Sequence, residues 1–307
     1  MQYVENGFRL STLLKPQGDL VHEETALLVK AIDGLSQEPN YFKDYAFPIA
    51  SAFFTSILGA GIAYLTLRHQ EVIQIEKGKM DSSNKWTLQV EEARSNLITI
   101  KGNYHGQLTS LPFQRLSAIP SILFHANSIA EDYQKLSFIV PSKEEKDGDQ
   151  NKWSQIPRIR SMVSNYNYLL KLWQQRNDMN QKFKEQLLAH HGGKAYATLS
   201  LADAVAASSQ ANMAMLIDLN ERVIKLTDDL IKELDSFLHD FPNYVKTKIQ
   251  VKRLKRYGSI LTFSNNGNKA LLNLIKKSPD ADFTSVEVLF GESSDSIKNR
   301  HTTGYEE

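Results

Sequence analysis

The stretch Ala46-Phe-Pro-Ile-Ala-Ser-Ala-Phe-Phe-Thr-Ser-Ile-Leu-Gly-Ala-Gly-Ile-Ala-Tyr-Leu-Thr-Leu67 holds no charged residue and lies between Lys43-Asp44 and Arg68-His69. Its 22 residues reach about 33 Å at ~1.5 Å per residue, enough for a hydrocarbon core of roughly 30 Å. A core helix of a soluble domain is more often shorter or charged on one side. The stretch therefore predicts one membrane-spanning helix, residues 46–67. Its apolar run begins about 45 residues into the chain and exceeds the ~7 to 15 residues of a cleavable signal, so the expectation is an anchor that persists.

Basic residues close to the run set its expected orientation. Lys30 and Lys43 precede it, whereas Arg68, Lys77, Lys79 and Lys85 follow within a comparable length, with His69 beside them. The positive-inside rule then places the C-terminal side in the cytoplasm and residues 1–45 outside, in the inner membrane if the source is bacterial. The lipid bilayer is thus the first expected partner.

Composition narrows the function classes. Lys and Arg total 36 against 35 Asp and Glu, a net charge of +1, so no whole-molecule field recruits nucleic acid or acidic partners. There is no cysteine, which excludes disulfides, thiol catalysis and thiolate zinc sites.

Before the run, Val21, Leu28, Ile32 and Leu35, with Thr25, follow helical spacing, and Gly34 and Pro39 mark an exit. This is a short amphipathic helix with an acidic polar face (Glu23, Glu24), better suited to packing on protein than to lying on a membrane. After the run, Trp86, Val90, Ala93, Leu97 and Ile100 alternate steps of four and three, the spacing of a coiled-coil seam. Asp81-Ser82-Ser83-Asn84 supplies a helix-start signal and Gly78 an interruption before it. Pro112 and Pro120 break the segment to Pro141 into short helices, and residues 143–152 have no apolar side chain, which marks a polar loop and a candidate internal boundary.

From Trp153 an apolar face runs through Val163, Leu170, Trp173 and Leu187 to His190, and Gly192-Gly193 stop it. From Leu201 to Phe241 a broad face of Leu216, Leu219, Val223, Leu226, Leu230, Leu234 and Phe237 fits a bundle core, and Pro242 ends or kinks it. Val245–Tyr257 and Leu261–Lys277 read as further helices. Phe283–Phe290, with Val286, Val288 and Phe290 alternating, hints at a strand, and residues from Gly291 form a polar, mobile tail. The expected class is mainly α: a single transmembrane helix followed by an elongated helical-bundle or coiled-coil-like cytoplasmic domain. Its segments are 1–45, the span 46–67, a juxtamembrane region 68–141, the loop 142–152, a bundle 153–290 and the tail 291–307.

Two features suggest binding. Ser51, Thr55, Gly59 and Ala63 are spaced by four within the span, and small side chains at that spacing let helix backbones approach closely in a membrane. With the seam at Trp86, Val90, Ala93, Leu97 and Ile100, they point to a homo-oligomer. Between Lys246 and Arg256 six basic residues fall in eleven positions, and on a helix Lys248, Lys252, Lys255 and Arg256 share a stripe that suits anionic lipid or nucleic acid. A single nearby aromatic, Tyr257, offers no stacking platform for bases.

Catalytic patterns fail on inspection. Gly192-Gly193-Lys194-Ala195 lacks the remainder of a phosphate-binding loop, and His22-Glu23-Glu24 lacks the second histidine of a zincin. Adjacent His190 and His191 diverge by about 100° on a helix and cannot share one metal. Arg176-Asn177-Asp178 is similar to the start of the HEPN ribonuclease motif, but Met179–Lys184 contains no histidine, which leaves Arg176 as a surface or salt-bridge residue. The expectation is therefore an interaction protein (scaffold, sensor or adaptor) with no metal, cofactor or catalytic residue and with an unidentified cytoplasmic protein partner. The alternatives are a membrane-disrupting effector of a bacterial defence type and a membrane-tethered nucleic-acid-binding protein.

Overall fold

The computed structural model describes residues 17–35, 40–142, 151–192 and 199–305. Helix accounts for 75% and, among the described residues, there is no strand. Two compact units divide at Gln70/Glu71.

In the first unit, α1 (Gln17–Leu35) is the amphipathic helix expected there, and Leu27, Leu28, Val29 and Ile32 are exposed. A π-helical turn, Phe42–Ala46, runs without a break into α2 (Phe47–Gly102), and Pro48 follows directly after it. The apolar run lies on α2, and it is the one helix among the described residues long and apolar enough to cross a membrane. None of it is buried: Phe53, Phe54, Leu58 and Leu65 are all more than 60% exposed.

The second unit closes around the C-terminal part of α2. No break occurs at Gly78 or at the expected start near Asp81. The hydroxyls of Ser82, Ser83 and Thr87 donate back to the carbonyls of Gly78, Lys79 and Ser83, each at 2.8 Å, a use of Ser and Thr that is compatible with an uninterrupted helix. Asn84 is spent on another segment, as described below. Trp86, Val90, Ala93, Leu97 and Ile100 are all buried, at 2% exposure or less, in the main core of their own domain.

After α3 (Pro112–Ala118) and a 3-10 turn at Tyr133–Ile139, the chain enters α4 (Ile156–His190). The predicted helix from Leu201 breaks at Ser208-Ser209 into α5 (Leu201–Ala207) and α6 (Gln210–Lys248), because the Ser209 side chain accepts from Asn212 N and starts a new helix. α6 continues through Pro242, since Phe241 and Val245, both fully buried, hold its last turns on the core. α4 and α6 pack together, and the main core draws on residues from both sides of the 143–152 loop, most of which lies outside the described residues.

Beyond α6 the predicted helices shrink to α7 (Val251–Leu254) and α8 (Lys269–Ile275). The expected strand is instead a 3-10 turn (Phe283–Val286) followed by α9 (Glu287–Phe290). Phe283, Val286 and Leu289, three residues apart, enter a second core cluster, while Val288, on the alternate register, is 91% exposed. Within the tail, α10 (Ser294–Arg300) buries Ile297, and His301 is 5% exposed.

Candidate functional site

The acidic residues of α6 recur at helical spacing: Asp218, Glu221, Asp228, Asp229 and Glu233. Asp228 and Asp229 are buried between a hydrophobic helix face and segments from elsewhere in the chain, so each needs a cation or a donor. Lys101, with no exposed surface, pairs with Asp228 at 2.7 Å and donates to the Lys276 carbonyl. Asp228 also accepts from Ser278 N at 2.6 Å. Arg115 pairs with Glu221 at 2.7 Å and donates to the carbonyls of Thr109 and Pro279. Asp282 N donates to the Ser110 carbonyl at 2.8 Å. The strap Lys276–Asp282 is thus held over α6 by buried charges, with Ala281 packed against the second core cluster.

Burial raises the Glu221 carboxyl above its ordinary range, against the opposing pull of Arg115. For Asp218 burial also pushes upward, but the bond and charge of His301, with Arg222 and Arg300, bring the carboxyl below its ordinary value. His301 Nε2 lies 3.2 Å from Asp218, and its ring stacks on Phe283 with centroids 5.3 Å apart. Thr303 Oγ1 donates to Asp229 at 2.6 Å, and Asn165 donates to the Tyr305 hydroxyl at 2.8 Å.

These contacts leave a small cleft between α6, the strap and α10, about 90 Å³, lined by Arg115, Glu221, Asp228, Lys277, Lys298 and His301 among others. Asp229 and Lys277 also line a wider, polar groove with Lys152, Arg158, Lys232, Glu233 and Tyr305. Around the two hollows stand seven fixed cations (Arg115, Lys152, Arg158, Lys225, Lys232, Lys277, Lys298) and five carboxylates (Glu221, Asp228, Asp229, Glu233, Asp280). Asp229 faces both Lys277 at 2.9 Å and Lys225 at 3.6 Å, and Glu233 faces both Arg158 at 2.7 Å and Lys152 at 3.5 Å. The cleft holds four of each sign, and the positive surplus lies in the groove, where Lys152, Arg158, Lys232 and Lys277 stand against Asp229 and Glu233, an arrangement that suits a small polar anion better than a cation. Among the described residues no group of three or more His, Asp or Glu side chains converges on a metal position.

No family model, curated protein or solved structure matches the chain.

The residues singled out from sequence fall in three places. Ser51, Thr55, Gly59 and Ala63 all lie exposed on α2. The two hydroxyls turn back on their own helix, Ser51 to the Pro48 carbonyl at 3.0 Å and Thr55 to the Ser51 carbonyl at 2.5 Å, and nothing stands within 4 Å of where a Cβ on Gly59 would be. Trp86, Val90, Ala93, Leu97 and Ile100 sit in the core, as described. Lys248, Lys252, Lys255 and Arg256 do not share one helix. α6 ends at Lys248, only Lys252 is on α7, and Lys255 and Arg256 follow it. Lys248 lies over the Tyr244 ring at 5.4 Å, while the other three are exposed.

Arg176 is a correction. It has no exposed surface and donates to Asn220 Oδ1 at 3.1 Å and to the carbonyls of Pro120, Ile119 and Leu116 at 2.8, 2.8 and 3.4 Å. The turn after α3 has no helix of its own to satisfy those carbonyls, so a guanidinium with five donors does so. Burial draws its pKa down to about 10, which still leaves it charged at neutral pH. Sequence reasoning also missed Lys101, Arg115 and the α6 acids. The three-and-four spacing of those acids was visible, but their partners lie about 50 to 130 residues away along the chain.

Proposed function

We propose that the chain is a single-pass membrane-anchored interaction protein whose helical C-terminal domain faces the cytoplasm and which self-associates through its span. The observation that carries this reading is the uncharged run 46–67, exposed along its whole length on α2, beside a second unit that completes its own core. An apolar surface of that extent is stable in lipid, not in water. The row Ser51, Thr55, Gly59, Ala63 supports helix pairing through close backbone approach. The seam residues, being inside the domain, leave the span as the assembling element.

The test is cross-linking and mass determination of detergent-solubilised full-length protein beside its Gly59→Leu/Ala63→Leu variant. An oligomer that the double variant reduces to monomer supports the reading. A wild-type monomer, or an oligomer indifferent to both changes, removes self-association through the span.

A second reading, a ligand-triggered membrane-disrupting effector, is favoured by the positively biased groove lined by Lys152, Arg158, Lys232 and Lys277. It requires dye release from loaded liposomes carrying the full chain, and release that persists unchanged in Gly59→Leu/Ala63→Leu counts against it.

A further inference from the structure

The sequence of the basic segment after α6 suits either anionic lipid or nucleic acid. Its attachment points decide among these. The chain from Ile249 to Leu261 is fastened to one face of α2 at three positions spaced by four. Glu76 Oε2 accepts from Gln250 N at 2.6 Å, the Met80 side chain lies against Gly258, and Asn84 both donates to the Ser259 carbonyl at 3.0 Å and accepts from Leu261 N at 2.9 Å. Leu254, 2% exposed, anchors the middle of the segment in the main core. Glu76 is itself 4% exposed and also holds Lys79 at 2.6 Å, so this is a built joint rather than a chance contact.

Glu76 lies only nine residues beyond Leu67 in the chain, so a segment fastened to it is tethered close to the end of the span. The headgroup layer adds roughly 5 to 8 Å outside the hydrocarbon, and the Debye length at physiological salt is about 8 Å. A segment that begins at Glu76 therefore starts within electrostatic reach of the lipid surface. Lys252, Arg253, Lys255 and Arg256 are all exposed there, interleaved with Val251 and Tyr257, which are 42% and 49% exposed. Residues 246–257 contain six cations and no acid. On α2 nearby, exposed Lys77 and Lys85 face exposed Glu71 and Asp81, so the net bias belongs to the segment.

We propose that the exposed segment Lys252–Arg256, fastened to the juxtamembrane turns of α2, rests on anionic lipid headgroups and so fixes the domain against the bilayer. Backbone phosphates of nucleic acid would meet the same cations, but with one aromatic they would find no stacking surface. The proposal rests on residues 46–67 spanning the membrane. Each basic residue at an anionic surface is worth roughly fivefold in partitioning, falling with distance.

The chain has no cysteine, which allows a single reporter. Full-length Ser259→Cys, labelled with a fluorophore, is reconstituted into phosphatidylcholine vesicles with or without 30% phosphatidylserine and a headgroup-attached quencher. Ser285→Cys, in the 3-10 turn that follows the Asp282–Ser110 contact, serves as the distal control. The expected result is quenching at position 259 that rises at least threefold with phosphatidylserine. It should be lost in the variant Lys252→Gln/Arg253→Gln/Lys255→Gln/Arg256→Gln, be kept in Lys252→Arg/Lys255→Arg, and be absent at 285. All four glutamines replace exposed side chains, so an unchanged circular-dichroism melt is expected. Quenching indifferent to phosphatidylserine while the protein stays in the vesicles through alkaline extraction overturns the lipid contact alone. Protein that leaves the vesicles on alkaline extraction overturns the anchor and the contact together. Salt-sensitive oligonucleotide binding lost in the glutamine variant, with lipid-independent quenching, would reassign the segment to nucleic acid.

Discussion

The two parts of α2 are covalently one helix and physically two. From residue 46 to 67 every side chain is exposed, Phe53 and Phe54 included, whereas from Glu76 to Lys101 each apolar residue at the seam positions is buried. The first part is apolar on all sides and has no polar face to show to water. The second confines its apolar residues to one stripe and meets α4 and α6 along it, with Asn96 donating to the Tyr166 hydroxyl at 3.3 Å and Arg94 paired with Asp235. Periodicity, not hydrophobicity, separates a helix meant for a protein core from one meant for lipid.

That contrast breaks first at single side chains. Trp86→Ala should cost the domain about 3 to 5 kcal/mol, the usual range for emptying a buried aromatic site, and lower its melting midpoint by many degrees in detergent. Phe54→Ala, the same kind of deletion on the exposed part, should leave that midpoint unchanged. Equal effects would mean that residues 46–67 pack in the domain core.

Arg176→Leu should cost a similar amount, about 3 to 5 kcal/mol, because three backbone carbonyls and Asn220 lose their donor in a dry site. Arg176→Lys should recover only part, having fewer donors and no fork. Denaturant titration reads both, and a neutral Arg176→Leu would show that the turn after α3 finds other donors.

Leu58→Arg sharpens the membrane side. A central arginine costs roughly 2.5 to 3.5 kcal/mol of insertion, so the variant should shift markedly from the alkali-resistant membrane fraction to the extractable one, with the melt of the domain unchanged. Retention equal to wild type would remove the spanning reading.

The smallest effect is in acid. Asp218 has a depressed carboxyl in the folded chain, so it contributes stability above the unfolded value of about 3.9 and loses it as pH falls through the folded value. Glu221 is raised, so its burial costs stability above its folded value and the cost is relieved as pH falls toward that of the unfolded chain. Asp218→Asn should therefore flatten the decline in melting midpoint below about pH 4. Glu221→Gln should instead flatten the dependence just above the ordinary carboxylate range. Identical profiles for both variants would show that neither carboxyl differs between the folded and unfolded states.

The sequence by itself determined the mainly helical class, the position of the apolar run and the face of each long helix, because these follow from spacing within one segment. Trp86 through Ile100 and Leu216 through Phe237 were readable as apolar faces for that reason. It misread Phe283–Phe290, where the alternation of Val286, Val288 and Phe290 matched a strand but there is no partner strand among the described residues, and burial follows Phe283, Val286 and Leu289. It pointed the seam at a second chain, whereas those residues lie in the core of their own domain, and periodicity is the same for either. Only the tertiary structure decided that Lys101, Arg115 and Arg176 are interior residues, and that the cations after α6 are fastened beside the juxtamembrane turns. A charge declares its need for a partner in the sequence, but the partner is chosen by contacts between segments about 50 to 180 residues apart, which no local pattern encodes.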